Sequence, residues 1–281
     1  MFKLFGRKNH QQALADALGD FVLPSFPATT MQALEQIRTE GTSARQVADV
    51  LTQDPGLSVR VLSAVNSAAF SPGRPVDNIQ QAVAMLGMSN LESLILAVAI
   101  KGTLPCEPCA GFDPDRFWLV AARRAATSQA LAQLLHPATR SQCFTAALLQ
   151  DMAIPLLATH QPDAYGPVLT AWHAGVDKLH NLERAALGFD HAEVATWLCS
   201  EWNLPEGLSR ALGSHHAPAG SAEECPTALC LVALLGETES QSGVEDLIRL
   251  ASDNHGLSTD VVGELVEQSF ERAGKLAQLL A

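Results

Sequence analysis

Cys106-Glu107-Pro108-Cys109 sets two thiols at the x-x spacing with which a turn presents half of a tetrahedral zinc site. The other half is lacking, because four residues separate Cys225 from Cys230. Six cysteines in 281 residues make no disulfide framework either, so the pair is expected to be two reduced loop thiols. No Gly-x-Ser-x-Gly elbow and no Gly-rich phosphate loop ending in Gly-Lys-Ser or Gly-Lys-Thr is present. His173 and His180 could share a helix face, but without a third partner they are expected to be surface histidines. Residues 44–69 resemble a helix-turn-helix, with Val47, Ala48 and Leu51, a turn at Pro55-Gly56, then Val59 and Leu62. A helix that reads DNA brings several Arg, Lys, Asn or Gln side chains to the groove, and here only Arg60 and Asn66 are on offer. Packing of two short helices explains the pattern without nucleic acid.

The elements that would position such groups are helical throughout. Ile79, Val83 and Leu86 fall on one face of a helix, and Leu91, Leu94, Ile95 and Val98 on one face of the next. Ser43 with Gln46, Ser89 with Glu92, and Ser221 with Glu224 fit capping boxes, and Asp113-Pro114 fits an N-cap followed by proline at the first helical position. Breaks fall at Pro72-Gly73, residues 102–108, Gly166-Pro167 and residues 218–220. No alternating strand pattern and no fixed repeat is visible. The expected fold is all-α. Residues 1–20 form an N-terminal extension, 21–100 a first helical bundle, 112–217 a second bundle, and 218–281 a helical C-terminal extension. In that extension Val261, Leu265, Leu276 and Leu280 form an apolar stripe, expected to pack on its own core, with homodimerisation as the alternative.

Composition narrows the classes further. Hydrophobic residues make up 47% and charged residues 17%, which is globular rather than disordered. The longest apolar runs, 94–100 and 228–235, are far shorter than the roughly 20 residues that cross a bilayer. The first ten residues carry Lys3, Arg7 and Lys8, but Gln11, Gln12 and Asp16 stand where a signal peptide would turn apolar. A cytoplasmic location is expected. The net charge of −12, without a dense basic cluster, disfavours DNA and anionic lipid as partners.

Residues 21–217 carry a set of motifs. The first half has Leu23-Pro24 with Phe26-Pro27, Gln53-Asp54-Pro55-Gly56-Leu57, Leu62, Asn66-Ser67, Arg74-Pro75-Val76 with Ile79, then Ala82 and Leu86-Gly87. The second has Phe117-Trp118, Leu148-Leu149-Gln150-Asp151, Glu183, Gly188-Phe189-Asp190-His191, Trp202-Asn203-Leu204-Pro205 and His215-His216. In these motifs the chain resembles the HDOD domains, a bacterial signalling family related to the HD phosphohydrolases. The motifs also have local physical roles. Asp54-Pro55-Gly56 works as a turn between helices, and Asn66-Ser67 can bond free carbonyls at a helix end. A structural role is therefore expected for Asp54, Pro55, Asn66 and Ser67, with a partner-binding surface as the sharper alternative.

The resemblance also defines what chemistry is missing. HD hydrolases hold one or two divalent metals with His and Asp side chains, and the metal activates a water and neutralises phosphate charge. At the matched positions this chain keeps Asp151, His191 and one or both of His215 and His216. The first histidine is replaced by Val120, which has no lone pair, and the second by Gln150, a weak neutral ligand. The final acid expected near residues 231–236 is absent. Two imidazoles and one carboxylate could make a mononuclear site, but the expected arrangement is a polar seam in which they hydrogen-bond one another. No cofactor and no metal is expected. The resemblance implies a non-enzymatic signalling module, with components of two-component or cyclic-dinucleotide pathways as partners and a small regulatory ligand as an open question. A residual metal-dependent phosphohydrolase is the first alternative and a DNA-binding regulator the second.

Overall fold

The computed structural model describes residues 25–66, 74–104, 110–217, 225–236 and 241–280, and among them no strand occurs. The first helices are α1 (Ala28–Arg38), α2 (Ala44–Leu51), α3 (Pro55–Val65), α4 (Ile79–Thr103), α5 (Pro114–Leu135) and α6 (Arg140–Leu149). They are followed by α7 (Ala153–His160), α8 (Pro162–His173), α9 (Leu179–Leu187), α10 (His191–Glu201) and α11 (Glu206–Gly213). Then come α12 (Thr227–Val232), α13 (Gln241–His255) and α14 (Thr259–Leu280). The helices fall into two compact units that interleave along the chain. Leu104–Pro114 and Gln150–His215, with α7 to α11, belong to one; Phe26–Thr103, Asp115–Leu149 and His216–Ala281 belong to the other.

In the larger unit, local sequence chemistry sets the helix ends. Ser43 and Gln46 form a capping box at α2: the Ser43 N–H donates to Gln46 Oε1 at 2.8 Å, and the Gln46 N–H donates to Ser43 Oγ at 3.3 Å. At α3 the Asp54 carboxylate accepts from the Leu57 N–H at 2.9 Å and Pro55 occupies the first position, where its missing N–H costs nothing. Asn66 closes the same helix. Its Nδ2 donates to the carbonyls of Leu62 (3.0 Å) and Val76 (2.8 Å), and its Oδ1 accepts from the Val76 N–H at 2.7 Å. One amide thus ties the end of α3 to the strand-like approach of α4. Ser67 and the Pro72-Gly73 break lie outside the described residues.

α4 contains both of the expected apolar faces, and Ile79, Val83, Leu91, Leu94, Ile95 and Val98 are all buried. Gly87, at φ 73°, breaks the regular helix between them; that backbone conformation suits glycine and few others. The Ser89–Glu92 capping box is not formed, because Glu92 pairs with Arg38 of α1 at 2.7 Å instead. α4 runs on to Thr103, past the end expected for the first bundle at residue 100 and into the expected break at 102–108, and Ile100 and Leu104 are buried. By length and composition α4 could cross a membrane, which the separate apolar runs did not foretell; half of its most apolar stretch is buried within the protein.

The C-terminal helix differs from expectation by one residue of register. The buried stripe of α14 is Val262, Val266, Ser269 and Ala273, whereas Val261 is 49% exposed. Small residues at 269 and 273 let the helix approach its neighbours closely, and that outweighs the larger but offset Val261 and Leu265. The side chains of Leu276 and Leu280, Cys106 and Cys109, and the Ser221–Glu224 box lie outside the described residues. Cys143, Cys199, Cys225 and Cys230 are buried free thiols, and burial pushes the Cys199 thiol up to about 12.

Replacing Asn66 with alanine strands a donor and an acceptor of the mostly buried Val76. Urea unfolding of Asn66→Ala is expected to show a loss on the order of 1–3 kcal/mol. Asn66→Asp, which keeps the acceptor only, should fall between that variant and the parent.

Candidate functional site

The site is built within the smaller unit, and its anchor is a carboxylate on the apolar face of a helix. α9 buries Leu179 and Glu183, the latter fully. A buried carboxylate must be paired or hydrogen-bonded throughout. Glu183 accepts from the Tyr165 hydroxyl at 2.5 Å through Oε1, and from the backbone N–H of His191 at 3.0 Å through Oε2. The same Oε2 lies 2.6 Å from His191 Nδ1. Tyr165, the chain's one tyrosine, is itself fully buried on α8.

The segment between α9 and α10 explains why His191 arrives at that carboxylate. Gly188 takes the left-handed conformation (φ 83°) that ends α9. Asp190 then caps α10, accepting from the Glu193 N–H at 2.9 Å while Glu193 reaches back to the Asp190 N–H at 3.0 Å. Asp190 also pairs with Arg184 at 2.7 Å. His191 is therefore fixed as the first residue of a capped helix. His215 comes from the other side, after α11, where its Nδ1 lies 2.6 Å from the Leu212 carbonyl. A carbonyl only accepts, so this nitrogen carries the proton. α10 and α11 approach closely: a Cβ on Gly213 would lie 2.6 Å from Thr196 Oγ1.

Asp151 completes the group. Its Oδ1 lies 3.4 Å from His191 Nε2 and 3.3 Å from His215 Nε2, and the two Nε2 atoms are 3.3 Å apart. All three residues are buried. With Nδ1 of each ring facing an acceptor, the three inward atoms carry lone pairs, and only a proton or a cation among them relieves their repulsion. Burial by itself pushes His191 down; the Glu183 charge, with hydrogen bonds to Asp151 and Glu183, outweighs it and raises the imidazole to about 10. That direction favours a proton in the triangle at neutral pH. The same three donors also fit a single divalent ion, since a metal about 2.1 Å from each nitrogen or oxygen places its ligands about 3–3.5 Å apart. Glu183 and Leu212 then act as the outer partners that orient ligating imidazoles. Bound there, an ion would lower the pKa of a water. Both oxygens of Glu183 are already engaged.

The structure thus brings together Asp151, His191 and His215. The exposed His216 joins them: one of its ring nitrogens lies within 4.8 Å of a ring nitrogen of His191 and of His215, so the three histidines could hold a metal ion. Gln150 is buried beside Asp151 in sequence, with its Oε1 lacking a hydrogen-bond partner among the described residues. Val120 is buried on α5 in the larger unit. Asp54, Pro55 and Asn66 make the helix-end bonds given above and are not part of this group. His173 and His180 do not share a helix: the first ends α8 and lies 3.0 Å from the Gly111 carbonyl, the second is on α9. The exposed face of α3 presents Val59 and Arg60, while Asn66 spends its amide on Leu62 and Val76. Glu183 was visible only as a motif residue and Tyr165 not at all; a lone glutamate in line with the apolar Leu179 was the available signal.

The chain belongs to the HDOD domain family, which matches it over residues 23–218. Its fold is that of a crystal structure named "Putative phosphohydrolase" from Shewanella amazonensis SB2B, at 24% identity and TM-score 0.76, covering 96% of this chain and 98% of that one. A "Putative signal transduction protein" from Marinobacter aquaeolei VT8 matches at 20% identity and TM-score 0.70, covering 96% of this chain and 65% of that one. An uncharacterised protein of Treponema pallidum (strain Nichols) is 23% identical over 229 residues, which are 80% of this chain. The chain spans 43% of the length of that curated relative. At these identities the solved structures establish the fold: all-α and HD-like.

His191 gives a pH signature with a definite sign. Its folded pKa is raised from 6.5 to about 10, so its contribution is full below pH 6.5 and is lost as pH rises through 10. The stability gap between the parent and His191→Gln, measured by urea unfolding in chelator, should therefore be widest at pH 6 and shrink toward pH 10. A gap that does not change with pH would mean that His191 is neutral in the folded protein.

Proposed function

We propose that this chain is a non-enzymatic signalling module that works by binding a partner protein in the cytoplasm. The module is residues 21–217, with 218–281 as its helical extension. The observation that carries this reading is the donor set: a single Asp151–His191–His215 triangle, closed by one proton and braced by Glu183. With the exposed His216 nearby it offers four donors, and Val120 and Gln150 occupy the positions from which the HD resemblance would draw two more histidines. Membership in a signalling family supports the regulatory half of the proposal, and so does the name of the Marinobacter neighbour. The partner is a component of a two-component or cyclic-dinucleotide pathway, reached through the resemblance alone.

One observation favours a second reading. The near-equilateral triangle fits a divalent cation as well as a proton, which keeps a residual metal-dependent phosphohydrolase in view. DNA binding draws no such support, because α3 presents one arginine on a chain of net charge −12.

Purified protein is expected to contain far less than one equivalent of Zn, Mn or Fe by elemental analysis. It should not hydrolyse bis-(p-nitrophenyl) phosphate, nucleotides or cyclic dinucleotides with added Mn²⁺. Turnover that vanishes in a folded Asp151→Ala variant would overturn the non-enzymatic reading and establish the second one.

A further inference from the structure

Within the larger unit, α5, the start of α6 and α14 line a half-open cavity of about 500 Å³. Its size falls in the range of small-molecule and cofactor sites. The floor is polar in a way the fold does not use. Gln129 is only 7% exposed, lines the cavity, and has no hydrogen-bond partner among the described residues. The side chain is mostly buried, yet its amide atoms are not sealed from solvent. An amide that makes no hydrogen bond within the described residues and lines the cavity is available to whatever enters it.

The rim supplies charge. Arg140 and Arg272 both line the cavity and are exposed at its edge, with neither engaged in an ion pair among the described residues. The opposing charge is Glu264, whose Oε1 accepts from Gln268 Nε2 at 2.9 Å. Two guanidiniums against one carboxylate leave a cationic mouth on a chain whose net charge is −12. Guanidinium forks match phosphate oxygens in geometry. The walls between floor and rim are apolar: Leu134 and Val261 are 47% and 49% exposed, and they line this cavity. The register of α14 leaves Val261 and Leu265 here rather than in the core.

We propose that this cavity binds a nucleoside monophosphate. Arg140 and Arg272 take the phosphate, the amide of Gln129 pairs with the edge of the base, and Leu134 with Leu265 covers its face. A glutamine amide offers one donor and one acceptor side by side, the complement of a base edge. The cavity would give a signalling module its small-molecule input. It is independent of the Asp151 triangle, since its lining lies wholly in the other unit.

Calorimetric titration of the full chain with AMP, GMP and CMP tests this, with inorganic phosphate and adenosine as partial ligands. At least one nucleotide should bind saturably, and phosphate and adenosine should each bind at least tenfold more weakly. Gln129→Leu should keep the melting temperature of the parent and lose at least tenfold in affinity, and Arg140→Ala with Arg272→Ala should lose as much. No saturation by any of the three nucleotides at millimolar concentration overturns the proposal. So does binding that survives in both variants, or phosphate binding as tight as the nucleotide. None of these outcomes depends on metal content, hydrolysis or a protein partner, so the cavity and the signalling reading fail separately.

Discussion

The buried carboxylate of Glu183 is the constraint on which the smaller unit depends. It sits on an apolar helix face, where an unpaired charge is untenable, and so it dictates what must surround it. Tyr165 of α8 supplies a hydroxyl, and the first turn of α10 supplies both a backbone N–H and an imidazole. Three helices are thereby held in one relation by one side chain. The helix dipole at the start of α10 disfavours an imidazolium at His191, and Glu183 more than offsets it.

That constraint also sets how the triangle meets a proton or a metal. The imidazole that Glu183 orients is the one whose other nitrogen faces Asp151 and His215. In a hydrolase the same orientation would present a lone pair to a metal. Glu183 also raises the His191 pKa, which favours a proton at that position and an ion pair within the triangle. A metal can enter only by displacing that proton, which couples any affinity to pH.

Much of the fold was legible because helix periodicity and caps are local. The two faces of α4, the Ser43–Gln46 box and the turn at Asp54-Pro55 could be read directly from neighbouring residues. The Ser89–Glu92 box failed because a long-range partner, Arg38, competed for Glu92. The stripe of α14 was misplaced by one residue because size was weighed and closeness of approach was not. At the site, the resemblance named Asp151, His191, His215 and His216, but Glu183 and Tyr165 went unassigned. Their roles arise only where α8, α9 and α10 meet, and no spacing in the chain announces that meeting. The cavity beneath Arg140 and Arg272 was invisible for the same reason.

The central claim is that one proton closes the Asp151–His191–His215 triangle. Nitrogen NMR of ¹⁵N-histidine-labelled, metal-free protein reads that proton directly. The account predicts that both ring nitrogens of His191 are protonated at pH 7 and stay so until the pH approaches 10. It also predicts that Zn²⁺ binds weakly and releases a proton when it does. A neutral His191 at pH 7, with its Nε2 bare and one equivalent of Zn²⁺ taken up tightly, would contradict it and make the triangle a metal site.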